Sequence, residues 1–347
     1  MKIVLFVTLL LFMTFSFIGC SKDLARNNPF DPQNPNNTNT TVTTNNSTLN
    51  TPILILPVNN SIFGDKRPTF DWNDVTGAIE YVIQIDDNTQ FINPKVNNVV
   101  NISNYISSVD LNDNKYYWRI KAKNSKGVES QWSSIWNFSI APYLTYPTPG
   151  TYPTGIAWDG FNIWSCDSVA NRIYKHNMDS TLSVIASCSG DYPQGLTWDG
   201  ATLYAGSFGY SPSRINCYNN NLIKQGYDEI PDISDGLSGI VWANGKMWVS
   251  EYTTNRIWRL FLGGTPNEWL TETSWASPGS LPRGITWDGA YIWTCDYNNN
   301  KIYKQTITGF IIVTYDSPPQ TTGLAWDGQF IWSCSSSTGK FYKYLRW

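Results

Sequence analysis

The side chains best able to do chemistry in this chain recur at fixed spacings. Asp167, Glu251 and Asp296 each stand five positions ahead of a base, Arg172, Arg256 and Lys301. Two related stretches keep the base, as Arg214 and Lys340, but carry Ser207 or Ser335 in place of the acid. A carboxylate without a basic partner could carry a proton, whereas one tied to a base or a turn is structural. The spacing favours structural ion pairs or turn-satisfying carboxylates. The alternative is that these acids ring one mouth of a central channel. Just ahead of a repeated glycine the residues differ: Thr154, Gln194, Ser238, Arg283 and Thr322. A lone Arg283 among neutral side chains suits an anionic or carboxylate-bearing ligand, because its planar fork of donors matches two oxygens. Pairing of Arg283 with Asp296 or Glu251 is the competing expectation.

Other chemistries find little support. The single histidine, His176, cannot assemble a triad or a zinc cluster, and there is no nucleotide loop. Asp296-Tyr-Asn298-Asn-Asn300 begins like a calcium loop, but Lys301 and Ile307 replace its glycine and glutamate, which excludes an EF-hand. Cys166, Cys295 and Cys334 share one repeat position and read as small buried fillers; Cys188 and Cys217 could pair. No cofactor and no metal are therefore expected. Of the 17 tryptophans, nine occupy repeat positions and should pack as core. A net charge of −3 with 15% charged residues implies no nucleic-acid partner.

The elements that position these residues are strands. Gly155-Ile-Ala-Trp158-Asp159-Gly160 recurs around Trp198, Trp242, Trp287 and Trp326, at separations of 40, 44, 45 and 39 residues. In each copy a tight Asp-Gly or Asn244-Gly245 turn leads into a second apolar run such as Asn162–Cys166. A third run such as Arg172-Ile-Tyr-Lys and a looser fourth complete a four-stranded unit, the blade of a β-propeller. The fifth copy stops at Trp347 without a fourth strand, and the orphan Tyr143–Pro147 precedes the first. That orphan should close the last blade, giving five blades over residues 142–347. Residues 51–141 alternate differently and predict a separate β-sandwich. The fold class is thus all-β, a sandwich followed by a five-bladed propeller.

Several stretches resemble known families. Trp72, Tyr81-Val-Ile, Tyr117-Trp-Arg-Ile-Lys-Ala and Trp132-Ser-Ser resemble a fibronectin type III domain across the whole of 51–141. Such domains serve as spacers or protein-binding modules, and no Arg-Gly-Asp triplet implies adhesion. Residues 1–20 form a signal peptide, and Phe17-Ile-Gly-Cys20 resembles a bacterial lipobox, with Phe17 and Ile18 departing from it. The resemblance implies lipidation of Cys20, and Ser21 favours the outer membrane or cell surface; an ordinary secretory signal is the alternative. The Asn/Thr-rich segment 21–50 should be a disordered tether. Tyr192-Pro-Gln194-Gly-Leu196 with Leu203–Ser207 resembles the five-bladed glutaminyl cyclotransferases, but Ala205 stands where that family is acidic. Without a proton carrier there, cyclisation is disfavoured. The expected function is a lipid-anchored envelope protein that binds a protein partner or small ligand, without catalysis. Its expected site is Gln194, Arg283, Asp167, Glu251 and Asp296.

Overall fold

The computed structural model describes residues 48–263 and 268–346. The signal peptide, Cys20 and nearly all of the tether lie outside the described residues. Within them the chain is all-β, with no helix.

Eight strands come first: β1 Leu54–Leu56, β2 Ser61–Phe63, β3 Thr69–Trp72, β4 Glu80–Asp86, β5 Val96–Val100, β6 Asn104–Ile106, β7 Asn114–Lys123 and β8 Trp136–Ile140. They form two sheets, ordered β1-β3-β6 and β2-β8-β7-β4-β5. Period-2 alternation drives the packing. On β7, Tyr116, Trp118, Ile120 and Ala122 are buried and the residues between them are not. Phe70 on β3 meets Trp118 and Phe138 edge-on, with centroids 5.1 and 5.4 Å apart. Leu49 also belongs to this core. The packed unit therefore starts before residue 51, because this leucine sheds its apolar surface there instead of staying in a polar tether.

Next come β9 Tyr143–Pro147, β10 Pro153–Trp158, β11 Ile163–Asp167, β12 Arg172–His176 and β13 Val184–Ser189. Strands β10 to β13 make one antiparallel four-stranded sheet, and four similar sheets begin at Pro193, Leu237, Pro282 and Thr321. The sheet from Thr321 takes β9 as its outer strand, with Tyr143 opposite Tyr344 and Pro147 opposite Lys340. The leading strands of the five sheets pack side by side, the fifth against β10, so the ring is closed.

The repeated glycine explains how the ring closes so tightly. A Cβ on Gly195 would lie 2.8 Å from Gly239 Cα, and one on Gly323 would lie 2.9 Å from Gly155 Cα. On Gly239 it would stand 2.2 Å from the Arg283 carbonyl oxygen, and on Gly284 2.7 Å from Gly323 Cα. The five glycines thus form a girdle where neighbouring backbones touch. Only hydrogen fits between them.

The hairpin turns differ from the expectation. In four copies the positive φ falls on the glycine alone, as at Gly160 with φ 97°, so the two central residues are Gly160 and Phe161. Asp159 stands outside the turn and accepts the amides of Phe161 and Asn162 at 2.8 and 2.6 Å. Only the third copy turns on Asn244-Gly245, both at positive φ. The second-strand tryptophans Trp164, Trp248, Trp293 and Trp332 are buried as expected. The first-strand set (Trp158, Trp198, Trp242, Trp287, Trp326) is only half-buried, packing between sheets while lining a cavity of about 160 Å³ at one end of the channel.

Candidate functional site

Because the start of each leading strand and the end of the next strand share one end of the ring, Gln194, Arg283, Asp167, Glu251 and Asp296 all fall at that end. Their side chains do different things. Asp167 is buried and accepts the backbone N–H groups of Tyr152 and Ala170 at 2.7 and 2.6 Å. Asp296 repeats this with Leu281 and Asn299 at 2.7 and 2.6 Å. Glu251 takes the amides of Thr253 and Thr254 at 2.5 and 3.0 Å, and the Thr254 hydroxyl. The ion pairs expected with Arg172, Arg256 and Lys301 do not form. Those bases turn outward, Arg172 to Ser187, Arg256 to Ser274 and Lys301 to Asp316. Buried amides that would otherwise lack an acceptor claim the carboxylates first.

The repeated ion pair lies at the opposite end. Lys175, Lys304 and Lys343 meet the turn acids Asp159, Asp288 and Asp327 at 3.4, 3.3 and 3.7 Å. The same acids accept the indole N–H of Trp164, Trp293 and Trp332 at 2.8, 2.8 and 2.7 Å. Burial pushes the Asp288 carboxyl upward, but the indole, two amides and Lys304 outweigh it and hold the group below the usual carboxylate range.

Arg283 is different. No hydrogen-bond acceptor and no acid meets its guanidinium among the described residues, and its buried Nε has no partner. It lies over the rings of Tyr252 and Tyr297, with centroids at 4.6 and 5.5 Å. Tyr297 and Ser336 reach the Tyr152 phenol, which is also close enough to feel Arg283. The hydrogen bond that Tyr152 donates to Tyr297, then burial, raises the Tyr152 pKa; burial chiefly raises that of Tyr252. Both phenols therefore stay neutral near pH 7 and leave the Arg283 charge uncompensated. The expected alternative, pairing with Asp296 or Glu251, is not what the structure holds.

The ring positions equivalent to Arg283 explain why it stands apart. Thr154, Ser238 and Thr322 donate their hydroxyls across the sheet boundary to the carbonyls of Pro193, Pro282 and Pro153 at 2.8, 2.9 and 2.7 Å. They staple one leading strand to the next. Gln194 and Arg283 are too long for that role. Gln194, 9% exposed, makes no side-chain hydrogen bond among the described residues.

A polar cluster in the second sheet was not foreseen. Asp191 accepts from Tyr210 at 2.7 Å, Lys224 at 3.3 Å and Asn216 at 3.4 Å, and Asn216 also donates to Ser207. Burial opposes ionisation of Asp191, but these donors outweigh it and lower its pKa. The signal was available, because Asn216 stands where the other copies have Tyr174, Trp258, Tyr303 or Tyr342. His176 is buried, with Ser165 Oγ at 2.7 Å and the Leu182 carbonyl at 2.9 Å on its two ring nitrogens. Burial lowers its pKa against the bond to Leu182. All five described cysteines, Cys188 and Cys217 included, are free thiols, and burial pushes that of Cys334 up to about 12.

No family model and no curated protein matches this chain. Solved structures do. A glutaminyl cyclase from Myxococcus xanthus is 11% identical over 58% of this chain and 93% of its own, with a TM-score of 0.48. A virginiamycin B lyase from Staphylococcus aureus is 18% identical over 87% and 96%, with a TM-score of 0.37. A regucalcin from Agrobacterium tumefaciens strain C58, titled a calcium-binding protein, is 13% identical over 58% and 94%, with a TM-score of 0.41. The chain is thus an all-β protein with propeller-like structural neighbours.

Proposed function

We propose that this chain is a lipid-anchored protein of the cell envelope, in which a fibronectin type III-like domain carries a five-bladed β-propeller. The Arg283 end of the propeller captures a ligand through a carboxylate or comparable anion and does not turn it over. One observation carries the reading: a guanidinium whose buried Nε meets no acid and no acceptor among the described residues, framed by the rings of Tyr252 and Tyr297. A buried guanidinium N–H left without an acceptor is costly, and an incoming anion removes that cost. Catalysis is disfavoured because Asp167, Glu251 and Asp296 are each committed to backbone amides. Ala205, at the position that is acidic in glutaminyl cyclotransferases, is buried and cannot move a proton.

Titration calorimetry with acetate, succinate and citrate tests the capture. Arg283→Ala is expected to weaken the best of these at least tenfold, about 1.4 kcal/mol. It should cost folding no more than about 1 kcal/mol, the scale of a half-exposed cation–π contact. Binding that is indifferent to Arg283→Ala would place the ligand elsewhere.

The anchor is tested separately. Cys20→Ser should abolish labelling by a radioactive fatty acid and move the protein from the membrane to the soluble fraction, since the acyl chains supply the attachment. A variant that still sediments with membranes would rule this mechanism out.

A further inference from the structure

We infer that the anion captured at the Arg283 end is a 2-oxo monocarboxylate, with its carboxylate on Arg283 and its keto oxygen on the Tyr297 hydroxyl. This rests on the carboxylate-capture reading above and names its ligand class. It uses only side chains that touch Arg283 or one another. The guanidinium lies 4.6 Å from the Tyr252 ring centre and 5.5 Å from that of Tyr297. Each phenol oxygen is at most a ring radius and one C–O bond further away. A molecule of a few atoms, with a hydrogen bond at either end, spans that gap.

The repeat does not demand these tyrosines. The position after each second strand holds Ser168, Phe208, Tyr252, Tyr297 or Ser336. The backbone N–H of the last four makes the same loop bond whatever the side chain. The hydroxyls form a directed series: Ser336 donates to Tyr152, and Tyr152 donates to Tyr297. The Tyr297 oxygen is therefore already an acceptor, while its own proton meets no acceptor among the described residues. Each donation in such a series polarises the next O–H.

The mouth thus sets a single positive fork beside a polarised phenol proton. A plain aliphatic acid would neutralise the fork and leave that proton unpaired. A 2-hydroxy acid would bring a further proton to an oxygen that already accepts from Tyr152. A dianion such as oxalate or phosphate would set two negative charges against one cation. A 2-oxo monocarboxylate brings one charge and three oxygens, all of them acceptors. Two oxygens match the guanidinium and the third meets the phenol.

The test titrates the full chain with pyruvate, lactate and propionate, three monocarboxylates of similar size. Pyruvate is expected to bind at least fivefold more tightly than either of the others. Arg283→Ala should weaken pyruvate at least tenfold. Tyr297→Phe keeps the ring beside the guanidinium and removes the hydroxyl. In that variant the affinities for pyruvate and propionate should come within twofold of each other, with the melting temperature little moved. A tyrosine that only packs would leave their ratio as it was. Equal, Arg283-dependent binding of all three acids, or a pyruvate preference that survives Tyr297→Phe, would overturn the 2-oxo acid inference and leave carboxylate capture standing. No binding of any acid at millimolar concentration, or binding indifferent to Arg283→Ala, would overturn both.

Discussion

A chain lacking Tyr143–Pro147 is expected to lose its ring of sheets as a cooperative unit. Strand β9 is the outer strand of the sheet whose other strands come from the far end of the chain, so one short segment joins first and last sheets. Its removal exposes the backbone edge of Lys340–Tyr344. It also removes Tyr143 from Tyr342 and Tyr344, at 5.0 and 5.9 Å, and Tyr146 from Trp332, at 5.5 Å. Three aromatic pairs contribute about 0.5–1.5 kcal/mol each beyond their burial. With the lost burial the total approaches the whole stability of an ordinary domain, about 5–15 kcal/mol. Differential scanning calorimetry should show the ring transition lowered by about 15 °C or more, or abolished. Deleting the sandwich should move that transition by no more than about 3 °C. Among the contacts that tie the two together, the half-exposed Arg346 bonds Asp113 at 2.6 Å and the Gly64 carbonyl at 3.0 Å, a contact class worth about 0–1 kcal/mol, and Leu345 abuts Gly64. A β9 deletion that melts like the parent would show that β9 does not close the ring.

The second large effect is expected at the glycine girdle. In Gly284→Ala the new methyl carbon would lie 2.6 Å from the Leu324 nitrogen and 2.7 Å from Gly323 Cα. These are backbone atoms, so relief requires the leading strands to separate rather than a side chain to swing away. Overpacking of this kind costs about 1–3 kcal/mol, and the upper end is expected because every strand in a closed ring has a neighbour on both sides. Gly289→Ala is the control. Its Cβ meets nothing within 4 Å, but φ is 97°, so only the left-handed strain of about 1–2 kcal/mol applies. Chemical denaturation should therefore rank Gly284→Ala below Gly289→Ala. The reverse order would mean that the strands are not in contact at Gly284.

What the sequence determined by itself was local and periodic. Alternating apolar positions, turn glycines and the 39- to 45-residue spacing specify four-stranded units, because pleat and turn chemistry act within a few residues of each other. The missing strand after Lys340–Tyr344 and the orphan Tyr143–Pro147 made their pairing legible as well. The odd residues Gln194 and Arg283 stood out for the same reason, as breaks in a pattern.

Partner choice was decided only in three dimensions. Asp167 and Arg172 are paired across β11 and β12, yet the carboxylate turns to the amide of Tyr152, fifteen residues back. Which donor wins depends on which buried N–H lacks an acceptor, and that follows from how loops from different strands meet. The same holds for Arg283. Spacing along the chain offered it Asp296 and Glu251, but both were already taken by backbone amides when the ring closed. The cation was left between two tyrosines because tertiary contacts, not sequence neighbours, allocate the acids.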